Sequence, residues 1–125
     1  MIYGIGTDII EVARVEDKIR RVKGFRETIF STAEITYCEQ QAAPYQSYAA
    51  RFAAKEAFLK ALGTGWGHGN LHFNEVEIVN DKYGKPILHL VGDAADKLAS
   101  LQIKCIHASL SHIKDTAMAM VIVEV

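Results

Sequence analysis

Apolar residues open the chain in a nearly continuous run. Ile2, Tyr3 and Ile5, then Ile9 and Ile10, predict a buried strand over 1–10 whose polar end comes near Asp8. From Glu11 to Lys23 the period changes. Val12, Val15, Ile19 and Val22 recur three or four residues apart, the spacing of an amphipathic helix, and Gly24 closes it. Ser31 or Thr32, with Glu34 close behind, predicts the N-cap of a second helix running to about Gln41, and Pro44 separates that helix from the next. The longest helical pattern, Ser47 to Leu62, is rich in alanine, the residue of highest helix propensity, and ends at Gly63. At about 100° per residue, Ala50, Ala54, Ala57, Phe58, Ala61 and Leu62 gather on one broad face, so a neighbour packs close there. Glu56 and Lys60 lie together on another face, and Arg51 and Lys55 form a third group one turn apart.

Glycines 63, 65, 67 and 69 around Trp66 and His68 predict a loop. Glu75 to Val79 and Pro86 to Leu90 alternate polar and apolar residues about the turn-forming stretch Asn80 to Lys85, which predicts a hairpin. Gly92 to Leu101 reads as a short helix. Lys104 to Leu110 and Thr116 to Val125 read as strands, with Ser111 to Asp115 turning between them. The expectation is one α+β domain over 1–125, with an antiparallel sheet and one long central helix.

Composition narrows the function classes. A chain of 125 residues, half of them hydrophobic, can bury a genuine core but not two. A net charge of −1 argues against bulk nucleic-acid binding, which calls for a strongly basic face. No apolar run approaches the ~18 residues of a membrane span, and no leader pattern opens the chain. Cys38 and Cys105 lack metal or redox spacing, so reduced thiols in a cytoplasmic protein are expected. Lys18, Arg20, Arg21, Lys23 and Arg26 make a basic run, read either as a solvated helix end or as a docking face for an acidic partner.

The candidate chemistry starts from two carboxylates. Asp8 sits among isoleucines and Glu56 follows two alanines, so each must be paired, protonated or bound to a cation to offset its desolvation. Hard oxygen donors in small number suit magnesium holding a phosphate-bearing substrate, with Lys60 adding positive charge and Gly63-Thr64-Gly65 offering backbone N–H groups. Plainer readings stand beside these: Glu56 and Lys60 as an ordinary helix salt bridge, Gly63 as a C-cap, Asp8 as the N-cap of the following helix. His107, Ser109 and Ser111 share one strand face. No acid orients the histidine as a nucleophile's base, so contact with a phosphate or a strand-end role is the better fit. Cys105, alternating with His107, reads as a small packed residue.

These residues carry a resemblance over essentially the whole length. Gly4-Ile5-Gly6-Thr7-Asp8-Ile9, the stretch Arg51-Phe52-Ala53-Ala54-Lys55-Glu56-Ala57-Phe58-Leu59-Lys60-Ala61-Leu62-Gly63-Thr64-Gly65, and His107-Ala108-Ser109-Leu110-Ser111-His112 together resemble the holo-acyl-carrier-protein synthases, small bacterial 4′-phosphopantetheinyl transferases. The resemblance implies that Asp8 and Glu56 hold magnesium against the pyrophosphate of coenzyme A and that Lys60 contacts phosphate. It implies that Arg51, Lys55, Gly63, Thr64, Gly65, His107 and Ser109 belong to the coenzyme A cleft, and that Arg14 and Arg21 meet the acidic helix of acyl carrier protein. It further implies a homotrimer with active sites between neighbouring subunits. Trp66, next to the glycine loop, and Ala108, inside the histidine–serine motif, stand where the family more often carries an aliphatic residue. The implied reaction transfers the phosphopantetheine arm to a carrier serine and supports fatty acid biosynthesis, with Glu56 or a metal-bound water as base. A catalytically inert coenzyme A or carrier-protein binding module and a magnesium-dependent phosphodiesterase are the rival readings.

Overall fold

Alanine sets how closely the central elements approach. The computed structural model describes residues 1–63 and 71–125. Its longest helix, α4 (Pro44–Leu62), opens with proline at its first position and closes at Gly63, whose φ of 81° a side chain would strain. Most of α4 is buried, as befits a helix apolar on several sides. It lies across a three-stranded antiparallel sheet in the order β1 (Ile2–Glu11), β5 (Thr116–Glu124), β4 (Cys105–His112). The period of two sends Ala117, Ala119, Val121 and Val123 of β5 into the core against α4.

Glycine permits the closest contact. A Cβ on Gly4 would stand 1.9 Å from the carbonyl oxygen of Ala61, and one on Gly6 would stand 1.9 Å from that of Ala57. The strand backbone therefore rests directly on the helix backbone, with Gly4, Gly6, Asp8 and Ile10 of β1 on the helix side.

The other face of the sheet departs from expectation. The opening apolar run is not a buried strand: Ile5 is 59% and Ile9 71% exposed, beside Met118 at 42% and Met120 at 39%. One helix covers one face, and nothing else in the described residues covers the second.

Around this core, α1 (Val12–Arg21) inserts Val12 and Val15. The expected second helix is α3 (Thr32–Glu39), capped by Ser31 in a reciprocal box with Glu34. Between them a short α2 (Phe25–Ile29) follows Gly24, where no helix was expected, since one turn and a half carries almost no periodic signal. The hairpin β2 (Val76–Asn80) and β3 (Pro86–Leu90) forms as predicted, with the Asp81 carboxylate accepting N–H bonds from Tyr83 and Lys85 in its turn. It makes a separate two-stranded sheet rather than joining the first. The helix expected over 92–101 breaks into α5 (Ala94–Lys97) and a 3-10 turn at 99–101, parted at Leu98 (φ −104°, ψ 7°).

A buried ion pair ties α3, α4 and β2 together. The Lys55 ammonium donates to Glu34 Oε1 at 2.7 Å, to the Phe73 carbonyl at 2.9 Å and to the Val76 carbonyl. Glu34 also accepts the N–H groups of Ser31 and Ile78, both at 2.9 Å. Every lone pair and proton that matters has a partner, the condition under which such a pair is tolerated in a core.

Gly6→Ala tests the backbone contact. The added methyl meets backbone atoms that cannot rotate away, so the variant should lose at least the ~1–3 kcal/mol typical of overpacking, read as a lower midpoint of urea unfolding.

Candidate active site

The close approach of β1 to α4 creates the site. Asp8 occupies the helix-facing side of β1 three residue pairs from the end of its ladder with β5, opposite the buried Ala119. Lys60, near the C-terminal end of α4, reaches across and donates to Asp8 Oδ1 and to the Thr7 carbonyl, each at 3.0 Å. The helix salt bridge between Glu56 and Lys60 is thus replaced by a strand-to-helix pair. Nor does Asp8 cap α1: Glu11 holds that position without a side-chain cap bond, and the N–H of Val12 goes to the carbonyl of Asp115.

Asp8 and Glu56 open onto one cavity of about 380 Å³, whose wall includes Ile10, Val15, Phe25 and Phe52 and whose basic groups are Arg14 and Lys18. Burial raises the pKa of Glu56 above the usual carboxylate range, the negative charge of Asp8 raises it further, and Lys60 partly opposes both. A carboxylate pair that resists ionising together, beside a fixed ammonium and under a basic rim, is suited to a divalent cation and a polyanion. The apolar wall suits an uncharged arm attached to that polyanion.

The remaining expected residues divide. Lys55 points away from the carboxylate cavity: its ammonium is fully buried in the pair with Glu34, because one residue along a helix turns the side chain by about 100° away from the direction of Glu56. Arg51 is also buried, 4% exposed, with its guanidinium 4.2 Å from the centre of the Tyr37 ring. Among the described residues its Nε and Nη2 have no hydrogen-bond partner, and it lines a separate cavity of about 180 Å³ with Asn80 and His112. Buried guanidinium N–H groups without acceptors call for an anion or ordered water.

The Gly63 N–H is engaged in capping, bonded to the carbonyls of Leu59 and Lys60. Thr64 and Gly65, like the rest of the glycine loop after Gly63, lie outside the described residues. His107 and Ser109 stand on the outer sheet face, paired in register with Ile122 and Met120, so the sheet separates them from Asp8 within one chain. Arg14 lines the carboxylate cavity, while Arg21 lies on the surface of α1, 2.6 Å from Asp17. The basic run is partly neutralised, since Arg20 pairs with Glu16 and Arg26 with Glu27 and Glu39. Phe25 and Phe52 were not singled out from sequence as cavity residues. Phe52 sits one turn before Glu56 and carried that signal, whereas Phe25 lies on the unexpected α2.

Comparison with known proteins agrees with this geometry. A family model described as the 4′-phosphopantetheinyl transferase superfamily matches residues 4–121. A holo-[acyl-carrier-protein] synthase of Cytophaga hutchinsonii is 47% identical over 125 residues, covering 98% of this chain and 97% of the relative. The crystal structure of a holo-[acyl-carrier-protein] synthase from Neisseria meningitidis superposes with a TM-score of 0.89 at 35% identity, covering all of both chains. That of a Helicobacter pylori holo-[acyl-carrier-protein] synthase in complex with coenzyme A gives 0.83 at 35% identity, covering 96% of this chain and 99% of the other.

Two variants separate site from scaffold. A raised carboxyl pKa means that ionised Glu56 opposes folding at neutral pH, and this penalty disappears as pH falls toward the unfolded value of about 4.3. In metal-free buffer, Glu56→Gln should therefore raise the melting temperature at pH 7, with the gain fading toward pH 4. Lys55→Met leaves Glu34 buried without its counter-charge and should cost about 3–5 kcal/mol in chemical denaturation.

Proposed function

The chain belongs to the 4′-phosphopantetheinyl transferase superfamily, and on that premise we propose that it transfers the 4′-phosphopantetheine arm of coenzyme A to a serine of apo acyl carrier protein. Adenosine 3′,5′-bisphosphate leaves, and the product serves fatty acid biosynthesis. The observation that carries this reading is the meeting of Asp8, Glu56 and Lys60, from elements far apart in sequence, beside one cavity with both basic and apolar walls.

Magnesium fits the donor set. Asp8 and Glu56 are hard oxygen donors, and the burial and, secondarily, the repulsion from Asp8 that raise the pKa of Glu56 are penalties that a divalent cation relieves. Bound by those carboxylates, it would neutralise charge on the pyrophosphate oxygens. Lys60, held by Asp8 and the Thr7 carbonyl, supplies a second positive charge where the leaving bisphosphate develops its own. The carrier serine oxygen bonds to phosphorus as the bridging P–O bond breaks, and its proton passes to Glu56 or to a water that Asp8 and Glu56 hold. The Arg51 N–H groups, unpartnered among the described residues, support a contact with a coenzyme A phosphate. Arg14 at the cavity and Arg21 on α1 support docking of an acidic helix, Arg21 by exchanging Asp17 for a partner's carboxylate. Both cysteines are free thiols, consistent with a cytoplasmic enzyme.

His107 and Ser109 bear on assembly. Lying on the face opposite Asp8, they can serve the same coenzyme A only if the outer sheet face of one copy meets the carboxylate side of another. The exposed Ile5, Ile9, Met118 and Met120 support burial of that face. The homotrimer is accordingly the functional unit we infer.

Intact-mass spectrometry tests the reaction. Apo acyl carrier protein incubated with the chain, coenzyme A and magnesium should gain one phosphopantetheine, and EDTA, Asp8→Ala or Glu56→Ala should reduce the gain below detection with the fold retained. Coenzyme A binding without any mass gain would favour an inert binding module instead. Light scattering should give three times the chain mass, and Ile9→Glu or Met118→Glu on the exposed face should shift it toward the monomer.

A further inference from the structure

Arg51 is a buried cation held without a carboxylate. It is 4% exposed, yet no acid pairs with it among the described residues. What stands against it instead is an aromatic face: its guanidinium carbon lies 4.2 Å from the centre of the Tyr37 ring. Burial strips the cation of water, and the negative face of the ring offsets part of that loss. We propose that Tyr37 is a positioning residue for coenzyme A binding, holding Arg51 in place with its Nε–Nη2 edge open to the oxygens of a phosphate. The proposal deepens the transferase reading and rests on it.

The kind of partner decides what remains free. A carboxylate would also offset the buried charge, but by accepting the guanidinium N–H groups, which are the groups a phosphate needs. The attraction of a ring face leaves those donors unspent. The two nitrogens without partners, Nε and Nη2, form one edge of the planar guanidinium, and such an edge presents two parallel N–H bonds to an oxyanion. Tyr37 and Arg51 line the same cavity of about 180 Å³, with Ser47, Asn80 and His112 also in its wall. The interlock that seats Glu34 against Lys55 also places this pair. Tyr37 follows Glu34 on α3 as Arg51 precedes Lys55 on α4, each by about one turn, so the two contacts are successive rungs between antiparallel helices. Lys55, bonded to Glu34 and two carbonyls, fixes the backbone at Arg51, and the long side chain is what still needs restraint. The ring of Tyr37 is itself packed against the core cluster of Phe30 and Tyr48. A guanidinium ordered in advance loses less freedom when its ligand arrives.

Calorimetric titration of the full chain with coenzyme A and magnesium, beside steady-state kinetics, tests the assignment. Tyr37→Leu keeps an apolar side chain but removes the ring face, and should raise both the Kd and the KM for coenzyme A roughly tenfold, the scale of a desolvated cation–π contact. Turnover at saturating coenzyme A should stay near that of the parent, because Asp8, Glu56 and Lys60 are untouched. Tyr37→Phe keeps the ring and should bind within about twofold of the parent. Phenylalanines of increasing fluorination at position 37 drain the ring face with little change of shape. They should raise the Kd step by step, which keeps the test decisive should the leucine variant fold poorly. Arg51→Ala should lose at least as much affinity, and adding Tyr37→Leu to it should change little further, since the ring acts through Arg51. Parental affinity in Tyr37→Leu with loss in Arg51→Ala would overturn the proposal and leave the transferase reading standing. Equal losses in Tyr37→Phe and Tyr37→Leu, or additive losses in the double variant, would show a packing role and overturn it as well. Parental affinity in Arg51→Ala would assign its donors to ordered water, with the same consequence. A parent chain that does not bind coenzyme A would sink the transferase reading and this proposal together.

Discussion

The contact between the glycines of β1 and the alanines of α4 is the constraint on which the site depends. With no Cβ at Gly4 or Gly6 and only methyl groups around Ala57 and Ala61, two backbones meet without a layer of side chains between them. Dispersion contacts gain from such proximity, and the elements lose freedom to slide past one another. Asp8 is two residues beyond Gly6, while Glu56 and Lys60 flank Ala57 and Ala61 along the helix. A rigid backbone seam therefore sets the spacing of three charged side chains, two of which, Asp8 and Lys60, are also joined by a hydrogen bond. A site built on paired regular elements is held more tightly than one built on loops.

That spacing has an electrostatic consequence. Two carboxylates face one cavity, and burial together with Asp8 pushes the Glu56 pKa upward. Lys60 relieves only part of the strain, because it bonds to Asp8 and leaves Glu56 to a longer-range attraction. The arrangement is worse for folding than a neutral side chain would be, and better for binding a cation. Stability given up at a functional site in this way is a common pattern in enzymes.

Lys55 and Glu56 show how little separates scaffold from site. They are neighbours in sequence and both charged, yet one is sealed in the core by Glu34, Phe73 and Val76, and the other borders the cavity. The buried pair locks the rotation of α4 against α3 and β2. Since the two residues differ by one step around the helix, the same lock directs Glu56 toward Asp8. A motif in which several charged residues are necessary thus mixes two roles that a motif alone does not tell apart.

Local chemistry made much of the chain legible without coordinates. Ser31 with Glu34 announced the start of α3, Gly63 the end of α4, and the Asn80–Lys85 stretch a hairpin, because each signal is written in hydrogen bonds between residues a few positions apart. Asp8 and Glu56 stood out because a carboxylate among apolar neighbours must have a compensating partner, whatever the fold. Tertiary structure alone decided who the partners are. It gave Lys60 to Asp8 instead of Glu56, Lys55 to Glu34, and left Arg51 with donors unmet among the described residues. It also decided that the apolar opening strand shows half its side chains to the exterior and that the hairpin stands apart from the main sheet. Such outcomes depend on which distant segments come within a few ångströms of one another, and the energy of an ion pair or a buried face is a property of that proximity, not of the residues' order along the chain.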